Sequence, residues 1–308
     1  LINLLELYVK LVGLVLIGFM LGRKLPSTVP TRLAQFLFWV GVPISIIAFV
    51  RQADLSGPIW IAPAIAYLAI LLGAFLAWLG IKVQTYFSKT IPQKSAQGSL
   101  LLAAMIGNTG YLGFPITLAM IGKEYFAWAL FYDLLGSFPG AYGLGVALGA
   151  RFGDNGQNQG QITQVAKAIL VNPAIWSFGF GLLFRQIAIP DEVAFSLDIL
   201  AWTTVALSLV LIGMRLAKLN TWVNLPQVGI SLVIKMLIVP FLLGCTLPFL
   251  GLTGPAAKVI ILQMAMPPAF ASLVIAETFN LDRNLAVTTI AVGAMLLLIT
   301  LPMWLWLF

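Results

Sequence analysis

Apolar residues along the chain come in runs of around 20, the length a helix needs to cross a hydrocarbon core of about 30 Å. The runs are continuous and lack the period-two alternation of a membrane β-barrel. They predict ten helical spans, at 4–22, 31–50, 59–81, 96–121, 126–149, 172–187, 193–215, 225–249, 256–279 and 285–307. The most polar stretch, Gly153-Asp-Asn-Gly-Gln-Asn-Gln-Gly-Gln161, reads as a flexible linker with five spans on each side. Beyond it, Ile162 to Leu170 sets Val165, Ile169 and Leu170 opposite Thr163, Gln164 and Lys167. That segment is either a short interfacial helix or the start of the sixth span.

Composition agrees with the pattern. Of 308 residues, 61% are hydrophobic and 9% charged, and the mean hydropathy is +1.02. A soluble domain carries about 25% charged residues. The chain therefore reads as a polytopic membrane protein embedded in a lipid bilayer, with no room for a separate soluble domain. It has no His, and its single cysteine, Cys245, lies in an apolar run. This excludes imidazole catalysis, His metal sites, an internal disulfide and Cys-based zinc clusters, so no metal or cofactor is expected. The N-terminus enters an apolar run without a basic region and reads as a first span, not a signal peptide.

The net charge is +7, from 17 Lys+Arg and 10 Asp+Glu. In a membrane protein such an excess reports topology, so no nucleic-acid partner is expected. One set of loops carries Arg23, Lys24, Arg32, Lys82, Lys89, Lys94, Arg151, Lys167, Arg215, Lys218 and Arg283. The opposite set carries Arg51, Lys123, Arg185 and Lys258. Eleven cations against four put the first set, and the 153–161 linker, on the cytoplasmic side of an inner or plasma membrane. Both termini then face out.

Because five is odd, the two halves, 1–152 and 162–308, enter the membrane with opposite orientations. Inverted repeats of this kind are a signature of secondary transporters. A shift of 158 lays Ile106 to Asp133 on Met264 to Ala291 without a gap. Each half also interrupts its fourth span. Gly107-Asn-Thr-Gly-Tyr-Leu-Gly-Phe-Pro115 holds three glycines and a proline, and predicts unwinding near 108–114 with a restart at Pro115. Met266-Pro-Pro-Ala269 denies its span two N–H donors. Irregular backbone survives at membrane depth only where protein or a water-filled cavity satisfies it. The two breaks are therefore expected to cross at the midplane and satisfy each other. The restarted half-helices would aim free N–H groups at the crossing, forming an anion site. Asn108 and Thr109 would add side-chain hydrogen bonds, and Gly110, Tyr111, Pro115, Met266, Pro267, Pro268 and Gln263 complete the candidate substrate site.

The stretch Gly107 to Pro115 resembles the broken-helix motif of the auxin efflux carrier (AEC) family, and the chain reads as a prokaryotic member related to the plant auxin exporters. Phe38-Trp-Val-Gly-Val-Pro43, Asn172-Pro173, Met266-Pro-Pro-Ala-Phe-Ala-Ser272 and Glu277-Thr-Phe-Asn-Leu-Asp282 are similar to the same family. The resemblance implies an all-α fold of ten transmembrane helices in two inverted five-helix repeats, with helices 4 and 9 crossing at the substrate site. It implies a scaffold of spans 1, 2, 6 and 7, a transport domain of spans 3–5 and 8–10 moving elevator fashion, and a homodimer through the scaffold. By motif match the substrate-binding Asn of the family falls on Asn108. Related plant carriers also have an Asn at the second crossing, where this chain offers Met266, Pro267 and Pro268.

Ionisable groups within spans are functional candidates by default. Lys235 lies about 16 Å into span 8 and Asp133 about 10 Å into span 5. They are expected to pair or to line the substrate cavity, as charge or coupling residues. Glu6 and Lys10, spaced i, i+4, read as a helix-end pair. Asp198 lines an interface or reaches the outer surface, Glu277 and Asp282 read as solvated, and Trp304 and Trp306 read as interfacial anchors.

The expected function is secondary transport of a small organic anion such as a carboxylate. One alternative is a sodium- or proton-coupled antiporter, or a bile-acid-type sodium symporter, of the same crossed architecture. A more distant one is a receptor without transport. No Ser/Lys or Asp/Asp dyad stands at motif spacing, so no enzyme is expected.

Overall fold

The computed structural model describes residues 2–88, 92–153, 170–218 and 224–308, with the side chains of 2–8, 10, 11 and 88 excepted. The 154–161 linker segment, the 162–169 stretch and the expected Glu6–Lys10 pair fall outside the described parts. The described residues are helical throughout, apart from turns and short extended segments. Among them, Thr28–Gln52, Ile61–Phe87, Asp191–Leu216, Leu225–Gly244 and Arg283–Leu307 are long and apolar enough to cross a membrane, and Pro173–Phe184 and Gly254–Ala265 are shorter apolar helices.

Four helices widen locally into π turns, at Leu37–Gly41, Thr109–Gly113, Phe131–Ser137 and Ile234–Ile238. Two residues beyond each stands a proline: Pro43, Pro115, Pro139 and Pro240. Proline has no N–H for the carbonyl four residues back, and its ring crowds that carbonyl. Widening the preceding turn accommodates the ring, and such π turns frequently mark functional positions.

The chain divides into two compact units. The first comprises Leu1–Ile59, Gly110–Leu130 and Leu170–Leu219. Within it, helix Ile2–Lys24 packs along Asp191–Leu216 through glycines. A Cβ on Gly18 would stand 2.0 Å from the Val210 carbonyl oxygen, and one on Gly213 only 1.9 Å from that of Val15. Small residues let membrane helices approach to this distance. Phe49 packs edge-on against both Phe126 and Trp202. At one end of this unit Asp198 accepts a hydrogen bond from Gln52 Nε2 at 2.7 Å and stands 3.8 Å from Lys123 Nζ. Asn172 caps the following helix, its side chain accepting from Ala174 N at 2.9 Å, with Pro173 in the first turn.

The second unit comprises Trp60–Thr109, Phe131–Ile169 and Asn220–Phe308. Its core includes Leu102, Met105, Ile106, Ile275, Phe279 and Leu281. Two surface readings change here. Asp282 is an N-cap, its carboxylate accepting from Leu285 N at 3.0 Å, although Glu277 is exposed and pairs with Arg283. Trp304 is no interfacial anchor: it is buried, and its indole N–H donates to Met236 O at 3.0 Å. That carbonyl is the one Pro240 leaves without its helical donor. Trp306 is exposed.

Candidate substrate site

The site is built on two helices that stop inside the second unit. Helix Lys94–Met105 ends at Ile106, whose backbone is extended, and Gly254–Ala265 ends at Met266, extended likewise. The extended pieces lie antiparallel, with Gly107 opposite Pro268. Asn108 N donates to Pro267 O at 2.8 Å, and Ala269 N donates to Ile106 O at 2.9 Å. Pro267 and Pro268 have no N–H to offer, so their strand contributes a carbonyl and the N–H of the next residue. Two backbone hydrogen bonds thus join the two interruptions. Unwinding is shorter than the glycines predict. Helical geometry resumes at Thr109 as a wide turn, and an α-helix follows at Phe114–Met120 with Pro115 in its first turn. Three glycines in a row of nine tolerate a π turn as readily as an extended one.

Close approach at the crossing depends on glycine twice. A Cβ on Gly293 would meet Pro268 Cδ at 2.9 Å and Pro267 Cβ at 3.0 Å, and one on Gly107 would meet Lys235 Cε and Nζ at 3.0 Å. Asn108 is 4% exposed, Thr109 2%, and Gln263 and Met266 are fully buried. The Asn108 backbone is held by Pro267, yet among the described residues nothing hydrogen-bonds its side-chain amide. That leaves the amide's carbonyl acceptor and two N–H donors available.

Lys235 and Asp133 both sit on π turns and both reach the crossing, from different elements. Lys235 is 3% exposed, and its ammonium donates to Met264 O at 2.8 Å. This carbonyl lies in the last turn of Gly254–Ala265, where no helical N–H follows to serve it. Asp133 is 8% exposed and accepts a hydrogen bond from the Thr109 hydroxyl, which also stands 3.3 Å from Ser137 Oγ. Among the described residues no ion pair joins Asp133 to Lys235; each has its own partner instead. Sequence reasoning did not single out Ser137 or Gly293. Ser137 lies one turn after Asp133, a spacing that could have flagged it.

Of the candidate residues, the second unit therefore gathers Asn108, Thr109, Gln263, Met266, Pro267, Pro268, Asp133 and Lys235. Gly110, Tyr111 and Pro115 belong to the first unit, the chain passing from one unit to the other after Thr109.

A family model described as "membrane transport protein" matches residues 160–305. The chain is 28% identical to an uncharacterized transporter of Methanocaldococcus jannaschii over 249 residues, 79% of this chain and 77% of the relative. It is 26% identical to an uncharacterized transporter of Methanothermobacter thermautotrophicus over 308 residues, 97% of this chain and 96% of the relative. With the apolar helices already described, these likenesses make the chain similar to membrane transport proteins.

Proposed function

We propose that the chain is a secondary carrier for a small organic anion, bound at the crossing of the two interrupted helices. The observation that carries this reading is Asn108. Its backbone is pinned by Pro267, and its buried side-chain amide has no protein partner among the described residues. The amide is therefore open to bond a substrate. The amide N–H groups suit a carboxylate oxygen, and the Lys235 ammonium beside Gly107 supplies positive charge.

The rest of the proposal is architectural. Ten spans in two inverted repeats, with both termini outside, make the crossing a midplane site. The unit that holds the crossing also holds spans 3, 8, 9 and 10, which supports its role as the moving part of an elevator-type carrier. Its residues 110–130 stand with the spans of the scaffold instead, so the transport domain is smaller than whole spans 3–5 and 8–10.

The test is uptake of labelled mono- and dicarboxylates into proteoliposomes. Wild type should accumulate at least one of them, and Asn108→Ala should reduce that uptake by about tenfold or more, equivalent to about 1.4 kcal/mol of lost interaction. Undiminished uptake by the mutant would remove the crossing as the binding site.

A further inference from the structure

Around Thr109 the second unit collects oxygens faster than it collects protons. The Thr109 hydroxyl donates to Asp133 Oδ1, and its oxygen stands 3.3 Å from Ser137 Oγ and 3.4 Å from the Gly107 carbonyl oxygen. Thr109 and Ser137 bring one proton each, and with both carboxylate oxygens and the Gly107 carbonyl there are five oxygens to share them. Asp133 is more than nine-tenths buried. Among the described residues its second oxygen accepts no hydrogen bond, and no Lys or Arg nitrogen lies within 4 Å of it. A carboxylate oxygen left open inside the protein suits a cation.

From this geometry we infer a sodium site formed by Asp133, Thr109, Ser137 and the Gly107 carbonyl. The charge selects the class of ion. The cluster holds one formal negative charge, which suits a monovalent cation, whereas calcium sites gather several carboxylates. On binding the ion, the Thr109 hydroxyl turns a lone pair inward. Thr109 directly follows Asn108, so an ion here adds positive charge next to the amide and couples sodium to anion binding. This consequence rests on the anion-carrier reading; the ion site does not.

The experiment measures binding of radioactive sodium to the purified full chain without any organic anion. Wild type should bind sodium that unlabelled NaCl displaces and that KCl and choline chloride, at equal concentration, do not. Asp133→Asn should weaken binding by about tenfold or more. Ser137→Ala should also weaken it while retaining the wild-type gel-filtration profile and thermal unfolding, which guards against misfolding of the first variant. Absent displaceable binding in wild type, equal displacement by KCl, or unchanged affinity in Asp133→Asn overturns the site. Sodium binding of the expected kind with no sodium-stimulated carboxylate uptake in proteoliposomes would sustain the ion site and remove the anion reading instead.

Discussion

Replacing Lys235 with Met separates the cost of a buried charge from its use. The ammonium is 3% exposed and its hydrogen bond goes to Met264 O at 2.8 Å. Losing that donor leaves a buried carbonyl unserved, because the helix ends at Met266, at a cost of about 1–3 kcal/mol. Against this, an ammonium held out of water carries a penalty of several kcal/mol, which the mutation relieves. No carboxylate within 4 Å is orphaned by the change among the described residues. Met also fills nearly the same length of cavity, so no large void opens. The balance favours the mutant by about 1–3 kcal/mol, in the range seen when buried ionic groups are replaced by apolar ones. Transport should move the other way and fall by about tenfold or more, since the anion loses its positive neighbour. Thermal unfolding of purified protein and carboxylate uptake in proteoliposomes measure the two effects. A mutant destabilised by more than about 3 kcal/mol would refute the reasoning, because it would mean that the ammonium has a strong anionic partner. Wild-type uptake would refute the role of the charge.

Other expectations follow from single contacts. Trp304→Phe should cost about 1–3 kcal/mol in thermal unfolding, because Met236 O, which Pro240 cannot serve, would lose the indole N–H. An unchanged melting temperature would show that bond to be dispensable. Gly213→Ala places a Cβ 1.9 Å from Val15 O, so helices Ile2–Lys24 and Asp191–Leu216 must separate; a loss of about 1–3 kcal/mol or more is expected by the same measurement. Asp54, in the exposed loop after Gln52, accepts hydrogen bonds from the Ser56 backbone N–H and hydroxyl, both at 2.8 Å, which hold its carboxyl below the ordinary 3.8. A lowered value in the folded state stabilises the loop above pH 3.8 and is lost as pH falls through the lowered value. Amide exchange at Ser56 should therefore quicken only in strong acid; equal protection across that range would contradict it.

Much of this was legible because apolar period and proline chemistry are local. Runs of apolar residues place the helices, and Gly-Asn-Thr-Gly with Met-Pro-Pro-Ala places the two interruptions within a few residues. What escaped was tertiary. The π turns answer prolines at 43, 139 and 240 that look tolerable in a hydrophobic run, and their effect is a rotated register one turn upstream. Trp304 reads as an anchor until a proline on another helix leaves a carbonyl for it. Asp133 and Lys235 were legible as buried charges, but their partners were not. Opposite charges in one sequence suggest each other, whereas the fold supplies a hydroxyl to one and a helix-end carbonyl to the other. The span-4 motif reads as one unit in sequence, yet the chain changes compact unit between Thr109 and Gly110, which no local pattern announces.

The central claim is that an organic anion binds at Asn108. A thermal-shift screen of small mono- and dicarboxylates, including indole acetate, against wild type and Asn108→Ala tests it most directly. A ligand that binds the folded state alone stabilises it by about 2.7 kcal/mol at 100 times its dissociation constant. A carboxylate should raise the melting temperature of wild type and leave that of Asn108→Ala unmoved. The same shift in both proteins would place the anion elsewhere and contradict the account.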